Sequence, residues 1–197
     1  MYRLGKQELL NTLEQWNQLL PGRGPIHLIA CGGTALTLLG YKESTKDVDF
    51  VVPEPSEYER LIRFLETAGY KQNYGLFGWT RSGDGVVYDL YRGKCVYTTE
   101  LLDSPLTKNG NRKVAEFSKI YLGVLNSIDL IISKMFRGTS VDRQDCVALA
   151  EREHIDLKLL EVRFRETAKY EINEDKVLKN LKVLLDDLKQ IKGKRKK

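Results

Sequence analysis

Two aspartates one residue apart, Asp47-Val-Asp49, and a third, Asp89, inside Val86-Val-Tyr-Asp-Leu-Tyr91, are the side chains best placed to do chemistry. Residues two apart on a strand project from the same face, so Asp47 and Asp49 stand close enough to share a divalent cation. Without a cation their mutual repulsion is costly. Asp89 interrupts an apolar strand pattern, and an unpaired buried carboxylate costs several kcal/mol. It therefore calls for a cation, for an arginine such as Arg92, or for a place at the sheet's rim. The third feature is Gly32-Gly33, thirteen residues ahead of Asp47, between the apolar run Ile26–Cys31 and the helical stretch Thr34–Leu39. Paired glycines at a strand-to-helix turn let backbone approach a ligand, and the helix N-terminus offers N–H groups to a phosphate. The three carboxyls are expected to converge beside this turn.

Those residues need a frame. Leu9, Leu10, Leu13, Trp16, Leu19 and Leu20 have helical spacing over 7–20, and Pro21-Gly-Arg-Gly-Pro25 stops that helix. Ile26–Cys31 and Asp47–Val52 read as strands, the second with two acids on one face. Pro53 and Pro55 end it, and Ser56 is expected to N-cap a helix over 57–68. Residues 70–97 are aromatic, glycine-punctuated and β-like, with a turn at Ser82-Gly-Asp-Gly85. Helical patterns then fill 126–136, 142–153, 157–168 and 173–191. Val177, Leu181, Leu184, Leu188 and Ile191 form a single packing stripe on the last of these.

Charge points the same way as the pattern. The net charge of +5 comes from Lys192, Lys194, Arg195, Lys196 and Lys197; without them the chain has 27 basic and 27 acidic residues. The terminal run reads as a solvated tail rather than a docking arm. Apolar runs are too short for a membrane span, which takes about 20 residues, and the first residues contain no apolar core of a secretory signal. Cys31, Cys95 and Cys146 are scattered, which argues against a disulfide framework or zinc site and for a reducing, cytoplasmic setting.

The wording Cys31-Gly-Gly-Thr-Ala-Leu36, Ser44-Thr-Lys-Asp-Val-Asp-Phe50 and Tyr88-Asp-Leu90 resembles the DNA polymerase beta-like nucleotidyltransferase superfamily. Within it, the likeness is to small prokaryotic nucleotidyltransferases that include the toxins of type IV toxin–antitoxin systems. More loosely, Asp129-Leu-Ile-Ile-Ser-Lys134 and Asp142-Arg-Gln-Asp145 resemble that group's later motifs. The resemblance implies an α+β nucleotidyltransferase fold, a mixed sheet flanked by helices with a C-terminal α-helical region. Its core would span 1–122, its helical region 123–191 and the basic tail 192–197.

It further implies an enzyme that moves an NMP from an NTP to a hydroxyl of an RNA 3′ end, as in tRNA, or of a protein, with an antitoxin partner if it is a toxin. Asp47, Asp49 and Asp89 would bind two Mg²⁺ ions, or Mn²⁺, and Asp89 would take a proton. Gly32, Gly33 and the Thr34 hydroxyl would hold the phosphates, with Lys134 reaching them and Asp145 orienting Lys134. The alternative is a non-catalytic member of the same fold that binds a nucleotide or a partner protein.

Overall fold

The computed structural model describes residues 2–73 and 78–194, with the backbone alone for 192–194. The chain divides into two units, residues 1–95 with 103–125 and residues 96–102 with 126–197.

The first unit begins with strand β1 (Leu4–Gly5) and helix α1 (Lys6–Leu19), then β2 (Ile26–Ala30), α2 (Gly32–Leu38), β3 (Ser44–Thr45), β4 (Asp47–Val52) and α3 (Pro55–Thr67). It continues through β5 (Lys71–Gln72), β6 (Gly78–Thr80) and β7 (Val87–Arg92). The two-residue strands β8 (Cys95–Val96) and β9 (Thr99–Glu100) follow, the second of them in the other unit, and the first unit resumes with β10 (Asn111–Glu116) and β11 (Ile120–Leu125). The main sheet has seven strands in the order β10-β11-β2-β4-β7-β6-β5. It is mixed: β2 runs parallel to β11 and antiparallel to β4, while β4 runs parallel to β7. The expected α+β architecture is the one found.

Alternation along the central strands decides which face is core. Val48, Phe50, Tyr88 and Leu90 point one way and are almost fully buried. Trp16 of α1 and Phe64 of α3 pack there, with the Trp16 and Tyr88 ring centroids 4.9 Å apart and those of Trp16 and Phe64 6.1 Å apart. Tyr70 closes the cluster edge-on against both Trp16 and Tyr88, and its hydroxyl accepts the Trp16 Nε1–H at 3.1 Å. Aromatic pairs of this geometry add about 0.5–1.5 kcal/mol beyond their burial. The alternate residues, Asp47, Asp49 and Asp89 among them, are thereby held on the opposite face.

The start of α3 departs from the sequence pattern, as do those of α2 and of the helix at Ser140–Arg152, which begin two residues early. Helix α3 opens at Pro55, with Glu54 at the N-cap and no side-chain cap bond, so Ser56 lies inside it. Proline has no N–H to lose and a fixed φ, which suits the first helical position and moves the start one residue ahead of the serine.

The second unit carries α4 (Ser127–Arg137), α5 (Ser140–Arg152), α6 (Leu157–Ala168) and α7 (Glu174–Lys194). Asn126 caps α4 by accepting the Asp129 N–H at 2.9 Å, and Gly138 ends it with a left-handed φ of 68°. Thr139 and Asp142 form a capping box at α5. Asp156 caps α6. Helix α7 runs through Lys194, so the tail's first residues are helical; the rest of the tail, 195–197, lies outside the described residues.

The stripe on α7 is buried as its spacing demands: Val177, Leu181, Leu184 and Leu188 are each 3 % exposed or less. Leu184→Ala should lower the unfolding free energy by about 2–5 kcal/mol in urea titrations. The neighbouring Val183→Ala, at a position 39 % exposed, should cost under about 1 kcal/mol.

Candidate functional site

The three acids lie on two neighbouring parallel strands. Asp49 of β4 pairs directly with Asp89 of β7, and Asp47 pairs with Val87. Register partners in adjacent strands share a face and lie about 4.8 Å apart, so Asp49 and Asp89 are side by side, with Asp47 two residues along. Asp47 is exposed; Asp49 and Asp89 are half-buried. Burial, and after it the charge of Asp47, raise the Asp89 carboxyl above the usual carboxylate range. Arg92 is not its partner: it sits on the other face of β7 by parity and pairs with Glu59 at 3.3 Å.

Side chains finish what the β2–β4 ladder leaves undone. Backbone pairing covers Ile29–Val51 and Ala30–Phe50, and the Cys31 N–H then donates to the Asp49 carbonyl at 3.1 Å. Beyond Cys31 the chain turns into α2. There the Thr34 hydroxyl replaces a backbone unit, accepting the Asp49 N–H at 2.9 Å and donating to the Asp47 carbonyl at 3.2 Å. The Thr45 hydroxyl donates to the same carbonyl at 2.8 Å. Thr34 is fully buried. Its hydroxyl fastens the aspartate strand to the helix start. At the other end of β2 the His27 N–H, one pairing step past Val51, donates to Glu57 Oε2 at 2.7 Å, and the same carboxylate contacts His27 Nδ1 at 3.0 Å.

Glycines give the carboxylates room. Gly32 has φ +57°, and a Cβ built there would overlap the Asp49 carboxyl, with Cγ at 2.9 Å. A Cβ on Gly33 would come within 2.7 Å of Thr45 Oγ1. Gly78, the register partner of Asp89, would place a Cβ 2.8 Å from Asp89 Oδ1. Tyr91, two residues beyond Asp89 and on its face, brings its hydroxyl to 3.4 Å from Asp49 Oδ1. Burial, reinforced by the Asp49 charge, pushes the Tyr91 phenol far up, so it stays protonated. Neither Gly78 nor Tyr91 was expected at the site. Period two counted onward from Asp89 is the signal that reaches Tyr91; Gly78 has no signal before the β6–β7 pairing is known.

The expected convergence of the acids is only partial. Among the described residues no three His, Cys, Asp or Glu side chains are gathered closely enough to hold a metal ion. Asp49 and Asp89 are register partners and Asp47 shares their face. A cavity of about 510 Å³ in this unit borders the opposite face, among Trp16, Tyr70, Arg81, Asp84 and Tyr88. There Arg81 bonds Asp84 at 3.0 Å and lies over the Tyr70 ring.

Lys134 and Asp145 belong to the second unit and meet there. Lys134 is 4 % exposed, with Nζ donating to Asp145 Oδ2 at 2.8 Å and to Asp142 Oδ1 at 3.5 Å. Asp145 thus orients Lys134, as expected. Asp142 does more than favour a helix start. It accepts Arg137 through two bonds, at 2.8 and 2.6 Å, and Thr139 Oγ1 at 2.7 Å. Lysine, arginine and the two aspartates form a balanced network, the arrangement in which buried charge is tolerated.

Comparison with known proteins supplies the next fact. Residues 111–193 match the model of the family described as a nucleotidyltransferase of unknown function, DUF6036. The matched stretch covers less than half of the chain. It includes β10, β11, Lys134, Asp142 and Asp145, and it begins after the three strand acids. Among solved structures, MenT4, a nucleotidyltransferase toxin from Mycobacterium tuberculosis H37Rv, is similar at 19 % identity and a TM-score of 0.43. The alignment covers 81 % of this chain and 63 % of that one, so the chain spans less than two thirds of MenT4. No curated protein matches. No helix among the described residues is long and apolar enough to cross a membrane.

Two outcomes follow from this geometry. Gly32→Ala should destabilise the fold by roughly 1–3 kcal/mol through its left-handed φ and the collision with Asp49. Gly24→Ala has φ +81° but nothing within 4 Å, so it measures the backbone cost alone, and chemical denaturation should show Gly32→Ala as the more damaging.

The second concerns acid. Burial raises the Asp142 carboxyl, but hydrogen bonds from Arg137 and Thr139 and the Lys134 charge outweigh it and hold the pKa at about 2. A carboxyl depressed on folding stabilises the native state above its unfolded pKa, near 4, and that contribution disappears as pH falls toward 2. Unfolding free energy should lose about 2 kcal/mol over that window from this group. Asp142→Asn, less stable at pH 7, should show a correspondingly flatter profile there.

Proposed function

We propose that the chain is a Mg²⁺-dependent nucleotidyltransferase that moves an NMP from an NTP to a hydroxyl acceptor, with residues 1–122 as the catalytic core and 123–191 as the helical region. The observation that carries this reading is the in-register placement of Asp49 beside Asp89, with Asp47 on the same face and Gly32 against the Asp49 carboxyl. The DUF6036 match supports the transferase class.

The donor set suits the ion. Three carboxylates offer hard oxygen ligands of the kind Mg²⁺ and Mn²⁺ take. Asp47, Asp49 and Asp89 would hold the metal, as two ions. When bound, divalent ions neutralise phosphate charge and acidify an attacking hydroxyl. The rest falls to the chain. Gly32 and Gly33 present backbone N–H groups of the first helical turn, which have no partners within the helix, toward the triphosphate. Asp89, the acid whose proton affinity is raised, receives the proton of the acceptor hydroxyl. Thr34 and Thr45 keep Asp47 and Asp49 in line. Lys134, paired with Asp145, would contact the nucleotide.

The acceptor is proposed to be an RNA 3′ end, such as that of tRNA, or a protein hydroxyl. A toxin role with an antitoxin partner rests on the wording of Gly32-Gly-Thr-Ala-Leu36 and Thr45-Lys-Asp-Val-Asp49. Incubation with each of the four labelled NTPs, Mg²⁺ and total cellular RNA or protein should place label on one acceptor class. NTP binding without turnover on any acceptor would instead favour the non-catalytic member of the fold. Asp49→Asn should reduce transfer to background while its melting temperature in metal-free buffer stays equal or rises slightly, because one of the crowded charges is gone. Full activity of that variant would overturn the metal mechanism.

A further inference from the structure

We infer that the cavity on the face opposite the aspartates is a binding pocket for a purine base, held against aromatic rings with its polar edge toward Arg81 and Asp84. All the residues lining it belong to the first unit, and its volume is about 510 Å³. Small-ligand pockets occupy roughly 300–1,000 Å³. Trp16, Phe64, Tyr70 and Tyr88 supply its rings, each 4 % exposed or less. Its rim is apolar as well. Among the described residues of the first unit, the large hydrophobic side chains left exposed are Tyr2 and Leu19, at 52 % and 66 %, and both line this cavity. Scattered exposed apolar residues are ordinary. Their gathering at one aromatic cavity marks a place for an apolar ligand face.

The polar groups narrow the ligand. Arg81 and Asp84 lie between β6 and β7, with Arg81 Nε donating to Asp84 Oδ2 at 3.0 Å and Nη2 to Oδ1 at 3.3 Å. The guanidinium lies 5.0 Å from the Tyr70 ring centroid. Those bonds engage Nε and Nη2, while Nη1 carries further N–H donors. A carboxylate offers about four acceptor sites. Arg81 fills two of those on Asp84 and the Tyr70 hydroxyl is hydrogen-bonded to the same group, which leaves one. The pair thus presents a donor beside an acceptor, and its charges cancel, which suits a neutral polar edge better than an ion. A nucleobase has that edge together with two flat faces, and unstacked bases rest on aromatic rings and guanidinium planes. The volume favours the two-ring purine. Tyr88 and Asp89 are successive residues of β7 and point to opposite faces, so this site is separate from the one proposed at the acids and does not rest on it.

The test is titration of 2-aminopurine riboside, whose fluorescence falls on stacking, with the full chain in EDTA. A second probe is a short single-stranded RNA with 2-aminopurine at its centre. Wild type should quench saturably, with adenosine competing and ribose 5-phosphate not. Asp84→Asn should weaken binding about 10-fold, the order expected for one hydrogen bond to a charged group. Ala68→Phe fills the cavity that Ala68 lines and should abolish binding. Melting temperatures are measured alongside, and Asp49→Asn should bind as wild type does. Tighter binding of the RNA would assign the base to a single-stranded RNA partner, and equal affinity to a free nucleoside or nucleotide.

Absence of saturable quenching by wild type would overturn the inference and leave the proposed function standing. Competition by ribose 5-phosphate as strong as that by adenosine would overturn it too, as would loss of binding in Asp49→Asn. Unchanged affinity in both cavity variants would place the probe elsewhere. If Ala68→Phe melts well below wild type, the Asp84→Asn affinity decides alone.

Discussion

The register between β4 and β7 is the constraint on which the rest of the site depends. It is fixed from behind, by Val48, Phe50, Tyr88 and Leu90 against Trp16, Phe64 and Tyr70, and not by any attraction among the acids. A slip of one residue would send those apolar side chains to the open face and the aspartates into the core. Burying two unpaired carboxylates costs several kcal/mol, and exposing two large rings forfeits about 1.5–3 kcal/mol for each. Hydrophobic packing on one face thus enforces an electrostatically unfavourable arrangement on the other, which is how binding sites come to hold charges that would otherwise separate.

Holding β4 in place requires more than its neighbours. Its ladder with β2 is short, and the groups left over at each end are taken by side chains from other elements: Thr34 at the acidic end and Glu57 at the far end. Both substitutions arise where a strand has to stop. The chain after Cys31 must turn sharply, which Gly32 permits, and the chain after Val52 meets Pro53, which has no N–H to donate. The glycine turn and the threonine form a single device: the turn ends the strand early, and the hydroxyl supplies what the strand no longer can.

Much of this was legible in the residues. The alternation of Asp47-Val-Asp-Phe50 and the isolated acid in Val86–Tyr91 placed three carboxylates on strands, because period two is a local property of the backbone. The register of Asp49 with Asp89 was not legible, since pairing of strands 40 residues apart depends on the whole core. The backbone bonds of Thr34 were hidden for a related reason: a hydroxyl beside a Gly-Gly turn suits a phosphate and a carbonyl equally well, and the carbonyl and N–H it meets come from the end of the β2–β4 ladder. Lys134 with Asp145 was anticipated by resemblance. The part of Arg137 and Thr139 in the same network was not, because Asp142 reads simply as a helix N-terminal acid until the two helices are packed.

The threonine clasp also makes the amide of Asp49 an unusual reporter. Most sheet amides are released to solvent when a strand unzips, and their hydrogen exchange measures the opening of the ladder. The Asp49 N–H is held by a hydroxyl on a rotatable bond, so a turn of Thr34 about χ1 is enough to free it while β4 and β7 remain paired. The His27 N–H, bound to the Glu57 carboxylate, is in the same position at the opposite end of β2. Each end of the β2–β4 ladder therefore carries a proton whose exchange registers the motion of one side chain, set against the slower breathing of the sheet between them.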